Sequence, residues 1–165
     1  MKTLYLMRHA KSSWNFDDLT DEQRPLNDRG RNDAPLMGQA LAKRNVKLDL
    51  LLSSAAVRAL TTAALVAKEL DYPHEQIAVR PEIYHADVQG LLDIVRACPA
   101  EAQAVLLVGH NNTITEFANL LSPDALHEEI PTAGIVCLHC QTDTWAGVDR
   151  SNTEFYFFDR PRGNN

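Results

Sequence analysis

The chain mixes two hydrophobic periods. Short apolar runs at residues 3–7 (TLYLM), 49–53 (DLLLS), 104–108 (AVLLV), 134–138 (GIVCL) and 154–158 (EFYFF) are rich in leucine, aromatic and β-branched residues, as buried strands are. Between them, apolar positions recur with helical spacing: Ala34, Met37 and Leu41; Val57, Leu60, Ala64 and Ala67; Ile114, Phe117, Ala118 and Leu121. A shorter helix is expected over residues 89–97, stopped by Pro99. Strands that alternate with helices need right-handed crossovers. The expected fold is therefore α/β, a three-layer sandwich with a mostly parallel central sheet flanked by helices on both faces. Such sheets bind ligands beyond the carboxyl ends of their strands. No repeat, low-complexity stretch or Gly/Ser linker breaks the pattern, so the 165 residues are expected to form a single domain, 1–165.

Charge narrows the partners. Lys and Arg total 16 against 22 Asp and Glu, a formal charge of -6, which argues against a general nucleic-acid binder with its broad basic face. Any anion site must be built locally. No apolar run reaches the roughly 18–20 residues that span a bilayer, and the opening run leads straight into Arg8-His9 with no signal-like stretch, so a cytoplasmic protein with no membrane contact is expected. Cys98, Cys137 and Cys140 are odd in number and suit a reducing compartment. Cys137 and Cys140 form a C-x-x-C, but three apart on a strand they face opposite sides of the sheet and read as buried structural thiols. No HExxH, paired-carboxylate or Cys/His spacing calls for a metal, and no cofactor is expected. His74, His85, His127 and His139 default to surface or packing roles, and His127-Glu128-Glu129 reads as a solvated helix face.

Three predicted strand ends deliver titratable side chains. The first ends at Arg8-His9 and the strand at 104–108 at Gly109-His110. The strand at 49–53 turns through Ser54 into a helix that carries Arg58 on its first turn. Two histidines and two arginines over one sheet edge make a dense cationic site in an acidic chain, and phosphate fits it. Planar guanidinium forks match pairs of phosphate oxygens. Ser53-Ser54 and Asn111-Asn112-Thr113 are expected N-caps that would aim orphan backbone N–H groups at the same anion. A neutral imidazole supplies a nucleophile, so His9 is the candidate, its protonation disfavoured by the surrounding arginines and its second ring nitrogen requiring an acceptor such as a backbone carbonyl.

The segment LYLMRHAKSSWN resembles the RHG-type signature of the histidine phosphatase superfamily, the phosphoglycerate-mutase-like fold, with Ala10 at the usual glycine. RPLNDRGRNDAPLMG, SSAAVRALTTA and VLLVGHNNTI follow in the order found in SixA-type phosphohistidine phosphatases, over most of the chain. The resemblance implies that His9 is the phosphorylated nucleophile, that Arg8, Arg58 and His110 form the phosphate pocket, and that Asn15 and Ser12 contact phosphate. It implies no metal. Relatives that act on phosphate monoesters usually carry a carboxylate after the third strand, where this chain reads RPEIYHAD, leaving Glu82 or Asp87 as the nearby candidates for proton donor.

A weak or absent acid bears on the substrate. An alkoxide leaving group is nearly as basic as hydroxide, with water's pKa at about 15.7, whereas imidazole has a pKa of about 6.5 and departs with far less help. A phosphohistidine substrate is favoured. The short segment between Glu82 and Leu91 leaves little chain for a lid, which suits a phosphorylated protein as partner. The expected function is a phosphohistidine phosphatase. The rivals are a small-molecule phosphomonoesterase or mutase acting on a small phosphate ester, and a non-catalytic phosphate-recognition module in which His9 only donates. Lys11 is a candidate for steering anions, Trp14 for a substrate-facing wall, and Thr132 for a residue approaching the pocket.

Overall fold

The computed structural model describes residues 1–123, 126 and 128–162. Ten principal elements follow one another: β1 (Lys2–Arg8), α1 (Asp28–Lys43), β2 (Leu50–Ser53), α2 (Val57–Glu69), β3 (Ala78–Val79), α3 (Val88–Arg96), β4 (Ala104–Gly109), α4 (Thr113–Leu121), β5 (Ile135–Cys140) and β6 (Thr153–Asp159). The six strands form one sheet in the order β3-β2-β4-β1-β5-β6. β1, β2, β3 and β4 run parallel, while β5 pairs antiparallel with both β1 and β6. The sheet is thus mostly parallel with one reversed strand. β3 is a two-residue edge strand that the hydrophobic pattern does not announce.

Alternation along the central strands builds two cores. Leu4 and Leu6 of β1, Val105 and Leu107 of β4, and Val136 and Leu138 of β5 pack with α3 and α4 on one face. Tyr5, Met7, Leu106, Val108, Ile135 and Cys137 pack with α1 and α2 on the other. Cys140 lies in the first core and Cys137 in the second, on opposite faces as their spacing requires. Each fully buried leucine contributes roughly 1.5–3 kcal/mol, so both faces hold the strand ends firmly.

The face that α2 buries differs from the expected stripe of Val57, Leu60, Ala64 and Ala67. Its buried residues are Arg58, Ala59, Thr62, Ala63, Val66 and Ala67, and Val57 is exposed. Small alanines bring this helix close to the sheet and carry Arg58 and Thr62 inward with them. The expected N-caps fare differently. Ala56 rather than Ser53-Ser54 caps α2, whereas Asn112 caps α4 as expected, though neither cap bonds through its side chain. Glu128 and Glu129 are exposed and lie outside any helix, contrary to the solvated helix face expected of them, and His127 lies outside the described residues. Among the described residues no helix is long and apolar enough to cross a membrane.

Candidate active site

β1, β4 and β2 end side by side, with Arg8 paired to Gly109 and Ser53 to Val108 in the parallel registers. Beyond these ends lies a cavity of about 220 Å³ lined by Arg8, His9, Arg58 and His110 together with Lys11, Ser12, Trp14, Arg24, Asn111 and Thr132. Among the described residues no carboxylate appears in that lining.

His9 is clamped by its neighbours. Its backbone N–H donates to Gly109 O beyond β4 (3.1 Å), and Ala133 N–H donates to the carbonyls of both Arg8 and His9 (3.1 Å each). Ala133 takes a positive φ of 63° to do so, a conformation uncommon for alanine and held here by the surrounding loop. Ala10, by contrast, has no positive φ, and its buried methyl joins the core beside α1 and α2. The family glycine is therefore dispensable for backbone reasons at this position. Ala10 N–H donates to Thr62 Oγ1 (2.9 Å). The next turn is fixed by α1: Asn27 N–H donates to Lys11 O (3.0 Å), and a Cβ at Gly30 would lie 2.1 Å from that same oxygen, so only glycine admits the loop.

The His9 imidazole is 8% exposed, and its Nδ1–H donates to Ala10 O (2.7 Å). A carbonyl can only accept, so Nδ1 holds the proton and Nε2 carries the free lone pair. Burial is the main reason its pKa falls to about 3. The Ala10 carbonyl opposes the fall, and His110, Arg58 and Arg8 add to it. The arginines expected to keep His9 neutral are thus secondary to desolvation. His110 stands with its ring centre 5.3 Å from that of His9, its pKa lowered to about 4, again chiefly by burial. Ser54 Oγ lies 2.8 Å from His110 Nε2. Ser54 Oγ also accepts from Ala56 N–H (3.2 Å), and in the tautomer in which its hydroxyl donates to Nε2 the His110 ring proton sits on Nδ1.

Arg8 Nε, Arg58 Nε and His110 Nδ1 are buried without a hydrogen-bond partner among the described residues. An unpaired buried polar group costs about 1–3 kcal/mol, and two guanidinium donors and an imidazole nitrogen on the walls of one cavity point to an anion that pairs them. The remaining groups are anchored: Arg8 Nη1 donates to Ile130 O (3.1 Å) and faces Glu129 at 3.9 Å, and Asn111 Nδ2 donates to the same Ile130 carbonyl (3.0 Å). Among the described residues no group of three or more His, Cys, Asp or Glu is arranged to hold a metal ion.

Residues 4–104 match the family model described as the histidine phosphatase superfamily, branch 1. The chain belongs to the histidine phosphatase superfamily. The phosphatase has the phosphoglycerate-mutase-like fold. It is similar to the protein named phosphohistidine phosphatase SixA from Nakamurella multipartitia, at 27% identity and a TM-score of 0.84 over 98% of this chain and 97% of that one. The SixA-named protein of Agrobacterium tumefaciens is 28% identical, with a TM-score of 0.80 over 97% and 99%. An uncharacterized protein of Mycobacterium leprae is 29% identical over 94% of this chain and 100% of its own.

Not every candidate reaches the phosphatase cavity. Ser12 does, buried and accepting from Arg24 Nη1 (2.7 Å). Asn15 does not: its backbone N–H is taken by Ser13 Oγ (3.1 Å) in a tight turn, and the residue lines a neighbouring cleft with Phe16, Pro25 and Asn27. Glu82 is exposed in a separate cleft with Leu50, Leu52, Arg80 and Cys98, because the turn at Pro81–Ile83 directs it along the sheet edge. Asp87 caps α3, accepting from Gly90 N–H (2.8 Å). Neither carboxylate lines the cavity. Two residues given no role in the sequence belong with the site: Arg24, buried in the cavity wall, and Asp21, which stands behind the lining and pairs with both Arg24 and Arg58. The sequence hint for Arg24 is its place at the head of the RPLNDRGRNDAPLMG segment; for Asp21 it is the i, i+3 spacing to Arg24.

Proposed function

We propose that this phosphatase hydrolyses the P–N bond of phosphohistidine carried on a protein, through a covalent intermediate on His9. His9 Nε2 attacks phosphorus as the P–N bond to the substrate ring breaks; that ring, protonated on its other nitrogen, keeps the bonding electrons and departs as neutral imidazole. A water then attacks the phosphorylated His9, releasing orthophosphate and a proton and restoring the neutral ring. Arg8, Arg58 and His110 hold the transferring oxygens, an electrostatic task of the kind that dominates phosphoryl transfer.

The observation that carries this reading is the set of buried nitrogens of Arg8, Arg58 and His110, unpaired among the described residues, around a neutral His9. The preference for a P–N substrate is supported by a lining without a carboxylate among the described residues, and by the similarity to SixA-named proteins. Trp14, 73% exposed at the mouth, is an open wall suited to a protein-borne group. Three free thiols fit a reducing cytoplasm.

His9→Ala is expected to abolish turnover of a phosphohistidine peptide while leaving the thermal melt intact, and wild type is expected to yield a trapped phosphoenzyme in rapid quench. Residual activity above about one per cent in His9→Ala, against the much larger losses usual for a nucleophile, overturns the assignment. Faster turnover of a sugar- or glycerate-phosphate panel selects the phosphomonoesterase reading. Phosphate binding with no phosphoenzyme burst selects a recognition module.

A further inference from the structure

We propose that Asp21 is a positioning residue that fixes the guanidinium groups of Arg58 and Arg24 in the attitude needed to grip the transferring phosphoryl group; this rests on the phosphoryl-transfer reading of the cavity. Asp21 begins the 3-10 turn Asp21–Gln23, far from any strand end. Its backbone carbonyl accepts from Arg58 Nη1 (2.6 Å), and its Oδ2 accepts from Arg58 Nη2 (2.9 Å). Its Oδ1 accepts from Arg24 Nε (3.1 Å). The Tyr84 hydroxyl donates to Oδ2 as well. One residue thereby ties together the loop after β1, the start of α2 and the turn after β3.

The geometry sorts the edges of Arg58. Asp21 occupies both terminal nitrogens, and Nε is the nitrogen left buried and unpaired. The end of the fork is held and the side of it remains for an anion. Arg24 is likewise anchored, through two of its three nitrogens. Its Nη1 donates to Ser12 Oγ (2.7 Å) and Ser13 O (3.0 Å), and its guanidinium lies 3.5 Å over the Trp14 ring. Tyr84 also stands edge-on to His110, with ring centres 5.3 Å apart, so the same hub borders three members of the cage.

A carboxylate beside a phosphate site repels the substrate, which makes its placement informative. Two long, like-charged side chains converging on one cavity would otherwise push apart. A fixed counter-charge holds them at a small loss of ground-state attraction, and correct placement counts most where charge is redistributed, in the transition state. Tyr84, followed by Arg58 and Arg24, keeps the Asp21 carboxyl well below the usual carboxylate range, so it stays ionised at neutral pH. It is therefore unsuited to protonating a leaving group.

Asp21→Asn keeps the shape and removes the charge. On a phosphohistidine peptide it is expected to lower kcat by roughly 10- to 100-fold, the size of a lost charge-assisted bond. Inhibition by inorganic phosphate should be unchanged or slightly tighter, whereas affinity for orthovanadate, the five-coordinate mimic, should fall in step with kcat. Tyr84→Phe should shift the vanadate-to-phosphate affinity ratio in the same direction by less, and serves if Asp21→Asn melts before assay. An unchanged ratio, or equal weakening of both anions, overturns the proposal. A wild type that binds vanadate yet cleaves no phosphohistidine defeats the functional reading alone, since the anion titrations of the variants still report on Asp21.

Discussion

At His9, burial and nearby cations push the ring toward neutrality while the Ala10 carbonyl pulls the other way, and burial wins. The attacking form is thus present well below the ordinary imidazole range. With a pKa of about 3 for His9 and about 4 for His110, kcat/KM for a phosphohistidine peptide is expected to show no loss between pH 7 and pH 5 from imidazole protonation. A limb centred near the reference value of about 6.5 would contradict a desolvated nucleophile. His9, Arg8, Arg58 and His110 are legible in the sequence because each sits at or just past a strand end, where topology alone brings them together. The roles of Arg24 and Asp21 are not legible, even though Arg24 heads a matched segment, since a turn whose path depends on Gly30, Asn27 and Lys11 meeting in space brings Arg24 to the cavity and Asp21 behind it. Asn15 and Glu82 show the converse: adjacency in sequence to a motif does not fix which way a loop residue faces.

The second helix decides how well the elements support the site. VRALTTAALVAKE is apolar on almost every side, so its phase is ambiguous from periodicity. The two polar residues that make the choice, Arg58 and Thr62, are buried for reasons outside the helix. Thr62 Oγ1 accepts from Ala10 N–H and donates to Arg58 O (2.7 Å), linking the nucleophile's loop to the helix that carries its phosphate-binding partner. Thr62→Val keeps the volume and leaves the Ala10 N–H unpaired, while Arg58 O keeps its helical partner, a loss of about 1–3 kcal/mol. That corresponds to a melting temperature lower by roughly 2–12 °C in a chain of this size, measured by circular dichroism. Thr62→Ser retains the hydroxyl and is expected to restore most of the loss. Equal melts for the valine and serine variants would remove this bridge from the account.

Across the whole molecule, the sheet and its two cores follow from the alternation of apolar runs, which is why five of the six strands are legible. β3 escapes because two residues carry no period, and the reversal of β5 escapes because direction is not written in a strand's own sequence. The buried histidines also make global stability respond to acid. As pH falls below about 6.5 the unfolded chain's imidazoles take up protons, while those of the native protein stay neutral down to about 4 and about 3. The unfolded state then binds more protons, so stability declines through that window and levels off below it. Urea midpoints at pH 7 and pH 5 should show the drop, and His110→Gln should reduce it; a midpoint that rises toward pH 5 has the wrong sign. The bond from Nδ1 of His9 to the carbonyl of Ala10 has a stereochemical corollary. With that nitrogen engaged, the phosphoryl group has one place to reside, and the trapped enzyme would carry a single regioisomer, the tele form, throughout its turnover.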